Sequence, residues 1–339
     1  MPPVSCFALP LSDGRCAVIG GLPPAASSPF VVDLHCDTVL SWADGKATLG
    51  RRGRGGHVDL AHLRAGGVGV QVFALYVAPS FGPDRSHARA RALLRVCRAE
   101  LRRHRTEAGL ATSVAQIHRL CRAGKLAAVM SIENGDAIED DLDRIDAFHR
   151  GGVRMMSLTW NPSNRLADGA MERRFGGLGP LGRQAVRRMQ ELRMIVDVSH
   201  LSEESFWDVL RITRGPVIAS HSNAAAIRPH PRNLTNDQIR ALAERGGVIG
   251  INFYPEFLGE PSLDRVVAHV DHMVRYGGVG CVAMGSDFDG IASTPRGLED
   301  ASRFPAIGSL LARRGYSPVE TAQIMGGNAL RVFREVWGS

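Results

Sequence analysis

Lysine is nearly missing from this chain: among 41 basic residues only Lys46 and Lys125 are lysines. The net charge of +7 therefore comes from arginines scattered along the sequence, a bias that reflects base composition more than selection for phosphate. The densest basic run, "RRGRGG" (51–56), reads as a solvated loop, so no nucleic-acid partner is expected. Paired cysteines are also lacking. Cys6, Cys16, Cys36, Cys97, Cys121 and Cys281 lie far apart with no C-x-x-C pair, which excludes a disulfide framework and leaves reduced thiols. No stretch approaches the roughly 18 apolar residues of a membrane span. Asp13 and Arg15 interrupt the segment where a signal peptide needs an unbroken apolar core, and the final "RVFREVWGS" lacks the apolar tail of a lipid-anchor signal. A soluble, cytoplasmic protein with no membrane partner is the expectation. Linkers, low-complexity tracts and internal repeats are missing too, so 1–339 reads as one domain, a length that α/β barrels commonly take.

What is abundant is short apolar runs. Eight recur: "PFVVDLHCD" (29–37), "VGVQVFALYV" (68–77), "LAAVMSIEN" (126–134), "VRMMSLTW" (153–160), "RMIVDVSH" (193–200), "PVIASHS" (216–222), "GGVIGINFY" (246–254) and "CVAMGSDFD" (281–289). Between them lie amphipathic stretches such as "GPLGRQAVRRMQELR" and "DRVVAHVDHMVRYGG", with apolar residues recurring at three and four. Continuous apolar strands alternating with helices imply a parallel sheet covered on both faces, and eight is the count that closes a barrel. The fold expected is therefore α/β, a (β/α)8 TIM-type barrel, with a doubly wound open sheet as the alternative. Residues 1–28, with "LSDGR" as a turn between two apolar runs, read as a short N-terminal β extension.

In a parallel barrel the active site lies at the C-terminal ends of the strands. There the first run presents His35 and Asp37, the third Glu133, the fifth His200, the sixth His221 and the eighth Asp287. Side chains two apart on a strand share a face, so His35 and Asp37 point together while Cys36 points away. Taken singly, a strand-end histidine is usually bonded to backbone and a strand-end aspartate often caps a helix. Three imidazoles and three carboxylates on one rim are different, because packing them together without a cation costs several kcal/mol. Imidazole with carboxylate and no cysteine suits zinc best, with manganese, iron or cobalt as alternatives. Five ligands exceed one tetrahedral zinc with an open position and suit two metals about 3.5–4 Å apart sharing a carboxylate. Two other acidic motifs are set aside as ligands. Asp59 of "GHVDL" reads as the N-cap of "LAHLRAGG", and "SDFDGIASTPRGLED" lacks the further acidic positions of a calcium loop.

In order and spacing, "DLHCDT", "GGVGVQVFALYV", "SIENGDAI", "DVSHLS", "IASHSNAAAIRPHPRNLTND", "GINFY" and "GSDFDG" resemble the membrane (renal) dipeptidases, binuclear zinc peptidases on an amidohydrolase-like barrel. The resemblance runs from about Phe30 to near the C-terminus. It implies His35 and Asp37 on one zinc, His200 and His221 on the other, and Glu133 bridging both. It further implies Arg232 and Tyr254 on the substrate's C-terminal carboxylate, and Asp287 on the amine and the protons. Hydrolysis of dipeptides through a metal-bridging hydroxide follows, with a homodimer as family habit. One departure stands out: animal members carry a histidine in the loop after the fourth strand, whereas "SLTWNPSNRLADG" has Trp160, which leaves Trp160, Asn161 or Asn164 to contact the substrate carbonyl. The alternative functions are another amidohydrolase-type enzyme acting on a cyclic amide, lactone or amino-acid derivative, and a degenerate barrel that binds metal without catalysis. Many amidohydrolases bridge their metals with a carboxylated lysine, and no lysine here ends a strand.

Overall fold

The apolar runs form the staves of a closed barrel in the computed structural model, which describes residues 8–10, 16–18 and 30–338. In chain order the strands are β1 (Ala8–Pro10), β2 (Cys16–Val18), β3 (Val31–Cys36), β4 (Val68–Tyr76), β5 (Ala108–Leu110), β6 (Leu126–Glu133), β7 (Val153–Ser157), β8 (Ile195–Asp197), β9 (Ile218–Ala219), β10 (Val248–Ile251) and β11 (Val282–Met284). Eight of them pair in parallel as a ring, β3-β4-β6-β7-β8-β9-β10-β11, and β11 returns to β3 through Met284 and Asp33. The open doubly wound sheet is thereby excluded. Each of the eight runs read from the sequence supplies one stave.

The ninth strand of this sheet, β5, was not legible. It pairs with Leu126–Ala128 of β6, along the half of that edge that β7 leaves free. Three residues, Ala-Gly-Leu, are too short a run to register as a strand. At the other end of the chain β1 and β2 pair antiparallel, Ala8 opposite Val18, as the N-terminal extension required. The turn proposed for "LSDGR" lies outside the described residues.

Alternation along each stave divides the core in two. One set of side chains, including Leu34, Val72, Val129, Met155, Ile195, Ile218, Val248 and Ala283, gives every stave a buried apolar residue in one cluster with Leu330, Val332 and Phe333 of the last helix. A second set, including Phe73, Met130, Ile132 and Met284, packs with the surrounding helices. Burying each such side chain stabilises the fold by about 1.5–3 kcal/mol. Gly250 within β10 and Gly285 just after β11 must be glycine: a Cβ at either would run into the Ser220 carbonyl.

Local signals start the helices. Ser202 caps Glu203–Ile212, Ser262 caps Leu263–Gly277, and Thr235 with Gln238 forms a capping box on Asn236–Glu244. Each cap satisfies an otherwise unpaired N–H and is worth about 1 kcal/mol. The two amphipathic stretches named above become Pro180–Glu191, with proline in its first turn, and Leu263–Gly277. Among the described residues no helix is long and apolar enough to cross a membrane.

Candidate metal centre

All six strand-end residues meet at the mouth of the barrel. His35 comes from β3, whose pairing with β4 slips between Asp33 and Cys36. Leu34 belongs to the cluster below, and the slip lets His35 also turn to the mouth. Asp37 stands at the N-cap of Thr38–Ala43 yet makes no capping bond; its Oδ2 lies 3.3 Å from His35 Nε2 instead. Cys36 is buried in the outer cluster, facing away from His35 and Asp37 as expected, though it is the slip that puts it there, since strict alternation from Leu34 would turn it inward.

Glu133, the last residue of β6, sits between two groups. Its Oε2 is 3.4 Å from His35 Nε2, while its Oε1 is 2.9 Å from His200 Nε2 and 4.0 Å from His221 Nε2. His200 and Asp287 lie three residues beyond β8 and β11, both with positive φ (70° and 63°). This conformation is uncommon for side chains of their size and turns the chain sharply at the rim. Asn252 Nδ2 donates to Asp287 Oδ2 at 2.9 Å, and the other oxygen, Oδ1, is 3.9 Å from His35 Nε2.

Hydrogen bonds behind the ring fix which nitrogens are bare. His200 Nδ1 donates to Asn161 Oδ1 at 2.9 Å. His221 Nδ1 lies 2.8 Å from Ser220 Oγ, whose own proton goes to Asp197 Oδ2, so the imidazole is again the donor. Both Nε2 atoms therefore present lone pairs, and they face each other at 2.8 Å. Two lone pairs so close, beside a carboxylate, form a repulsive arrangement that a divalent cation relieves. Asp37 Oδ1 is likewise buried without a hydrogen-bond partner. The donor set fits a metal centre.

The electrostatics agree. Burial first, then the Asp37 charge, pushes Glu133 up to about 7, with His35 pulling the other way. Burial also lifts Asp287 to about 6. Burial holds His200 and His221 well below the ordinary histidine value, helped by Arg232 and His35. For His35 burial acts in the same sense, but Glu133 and Asp37 outweigh it and raise the ring. Glu133 and Asp287 kept from ionising, His200 and His221 kept from protonating, and His35 drawn to take up a proton are what a ligand set without its cation shows.

A cavity of about 460 Å³ opens over the cluster, and Arg232, Tyr254, Trp160 and Asn161 all stand in its wall. Arg232 is buried, its Nη2 donating to the His221 carbonyl at 3.1 Å and lying 3.2 Å from His200 Nε2. Burial lowers its pKa to about 10. The Trp160 ring lies 5.5 Å from that of Tyr76 and 6.2 Å from that of His200, and its N–H makes no hydrogen bond among the described residues. Asn164 is not in the wall: its Nδ2 donates to the Leu158 carbonyl and Asn134, and its Oδ1 accepts from Leu166 and Ala167. The sequence reading missed Asp197, Ser220, Asn252 and His230. Asp197, a carboxylate buried inside an apolar run, was the one available signal.

The acidic motifs set aside as ligands take other roles. Asp59 caps Leu60–Ala65, accepting from His62 N at 2.9 Å. His57 exchanges two bonds with Asp289, its Nδ1 accepting from the Asp289 N–H and its own N–H donating to Oδ1.

A parallel barrel with a buried imidazole–carboxylate cluster at its C-terminal mouth defines a metal-dependent hydrolase. Residues 26–337 match the model of the membrane dipeptidase family (peptidase family M19), and the chain belongs to that family. It is thus a metallopeptidase of the dipeptidase type, as the resemblance in the sequence implied. Among its relatives are the dipeptidase tcpJ of Claviceps purpurea, 34% identical over 83% of this chain and 69% of that protein, and the dipeptidase aclJ of Aspergillus oryzae, 33% identical over 83% and 70%. A solved structure described as dipeptidase AC, a metallopeptidase of family M19, superposes with a TM-score of 0.86 at 29% identity, covering 92% of this chain and all of that one. A metallopeptidase from Rhodobacter sphaeroides, liganded with a phosphinate mimic of the dipeptide L-Ala-D-Ala, gives 0.84 at 29% identity over 91% of this chain and all of its own.

Proposed function

We propose that the protein hydrolyses dipeptides with two zinc ions, His35 and Asp37 holding one, His200 and His221 the other, and Glu133 both. The observation that carries this reading is the carboxylate of Glu133, whose two oxygens reach His35 on one side and His200 on the other at 3.4 and 2.9 Å. Bound zinc would make water a nucleophile at neutral pH and polarise the scissile carbonyl.

The chain's own groups do the rest. Asp287 takes a proton from the attacking water and delivers it to the leaving amine, work worth roughly 10²–10⁴-fold. Asn252 pins one of its oxygens and leaves Oδ1 toward the cluster. Arg232 offers a planar fork for the substrate's C-terminal carboxylate, with Tyr254 beside it in the wall. The Trp160 indole N–H and the Asn161 side chain take the carbonyl side. Asn161 also orients His200, so its substitution disturbs both the imidazole and the substrate. A site that grips both the free amine and the free carboxylate measures length, and so favours dipeptides over longer chains. The dipeptide mimic held by the Rhodobacter relative supports the same substrate class.

The test is a panel of dipeptides offered to zinc-loaded protein with and without chelator. Cleavage that chelator stops and zinc restores is expected. A loaded protein that leaves the whole panel uncut would refute the reading.

A further inference from the structure

Among the side chains of the cavity wall that have no task in the mechanism above, one is an imidazole. His230 stands on the loop after β9, two residues before Arg232. Its ring packs on Phe257 with centroids 4.5 Å apart, and the Arg232 guanidinium lies over the same phenyl ring at 5.5 Å. The loop is tied down: Asn233 Nδ2 donates to the carbonyls of Arg228 and Phe257 at 2.8 and 2.9 Å, and Asn233 N donates to the His230 carbonyl at 2.9 Å.

The backbone N–H of Arg232 donates to His230 Nδ1 at 3.1 Å. A ring nitrogen that accepts carries no proton, so the proton of the neutral imidazole is on Nε2. Burial, and after it the Arg232 charge, lower the pKa of this ring, which favours the neutral form. Nε2–H finds no acceptor among the described residues. The wall thus presents a donor of fixed tautomer beside a guanidinium.

We propose that His230 is a substrate-binding residue: its Nε2–H donates to the C-terminal carboxylate of the dipeptide, sharing that group with Arg232. The assignment rests on the dipeptidase reading given above. A carboxylate has lone pairs enough for several donors, and one guanidinium leaves some of them unmet. A neutral donor meets them without placing a second positive charge beside the cation site, where it would oppose metal binding.

Substrate pairs that differ only at the carboxylate test this. Zinc-loaded wild type, His230→Ala and His230→Asn are assayed on L-Ala-D-Ala and on its C-terminal amide, read as kcat/KM, or as inhibition constants where the amide is not turned over. Melting temperature and zinc content of each variant are recorded alongside. The expected result is a loss of about tenfold on the free acid in His230→Ala, mostly in KM, with less than twofold on the amide. His230→Asn, which keeps an N–H donor, recovers part of the loss. Equal losses on acid and amide, or no loss on the acid in a folded, zinc-replete variant, would overturn the proposal. If wild type cuts no dipeptide at all, the dipeptidase reading fails and this one with it; cleavage with an unchanged acid-to-amide ratio sinks this one alone.

Discussion

Asp197 and His221 are joined through a single hydroxyl: Ser220 Oγ donates to Asp197 Oδ2 and takes the proton of His221 Nδ1 at 2.8 Å. This relay sets the tautomer that bares Nε2 and keeps the ring aimed at the centre. Ser220→Ala should therefore leave the barrel folded and weaken zinc binding by roughly 10–100-fold. Zinc transfer to a competing chelator measures it, and an unchanged affinity would show that the relay does not matter.

Glu133 turns one carboxylate oxygen toward His35 and the other toward His200, which is what the proposed bridging role needs. Glu133→Gln keeps its shape and removes its charge. The variant should retain a wild-type circular dichroism spectrum, bind less zinc, and lose turnover by on the order of 1000-fold, about 4 kcal/mol of barrier. Wild-type rates would mean that the bridging role is misassigned.

Gly290 closes the other side of the rim. Its backbone does not need glycine for conformation, since it is not among the positive-φ positions, but a Cβ there would press on Asp37 Oδ2 and Asp287 Oδ1. Gly290→Ala should cut kcat on the order of 100-fold by displacing two carboxylates, a cost of about 2.7 kcal/mol, while the melting temperature moves little. A large fall in melting temperature with normal specific activity of the folded fraction would contradict this.

Asp168 organises the loop after β7 that carries Asn161. Its carboxylate is buried and accepts the backbone N–H groups of Arg174, Phe175, Gly176 and Gly177, together with Ser163 Oγ. Burial alone would raise its pKa, but these donors outweigh burial and hold it below the ordinary value. A carboxylate depressed in the folded state stabilises above its unfolded pKa, near 3.9, and the gain fades as pH falls through the folded value. Asp168→Asn should cost about 2–4 kcal/mol at neutral pH, or about 5 °C in melting temperature. In melts from pH 3 to pH 8 the gap to wild type should hold at the upper end and narrow below about pH 4; a gap independent of pH would show that the charge is not what the loop uses.

The barrel and the gathering of imidazoles and carboxylates at its mouth were legible because both rest on patterns that survive without coordinates: apolar runs at regular intervals, each closed by a polar residue. The same pattern misled about where pairing stops. "RMIVDVSH" reads as one strand, yet the ladder ends at Asp197 and the chain turns through a positive φ at His200, because aiming the imidazole inward requires leaving the sheet. The groups behind the cluster were not legible. Asp197, Ser220 and Asn252 act through partners distant in sequence, and no local spacing marks a residue whose role is to hold another side chain's proton. His230 was hidden for a similar reason, since its tautomer is set by a backbone N–H that only the folded loop brings to it.

The stave residues that fill the barrel beneath the cluster, sealed below by Leu330, Val332 and Phe333, give the reaction chamber a solid floor. Traffic is consequently one-way only in chemistry and two-way in space: both amino acids released from a cleaved substrate depart through the opening that admitted it. A next substrate has to wait for that doorway to clear, so free amino acids that linger there would compete with it for the same wall.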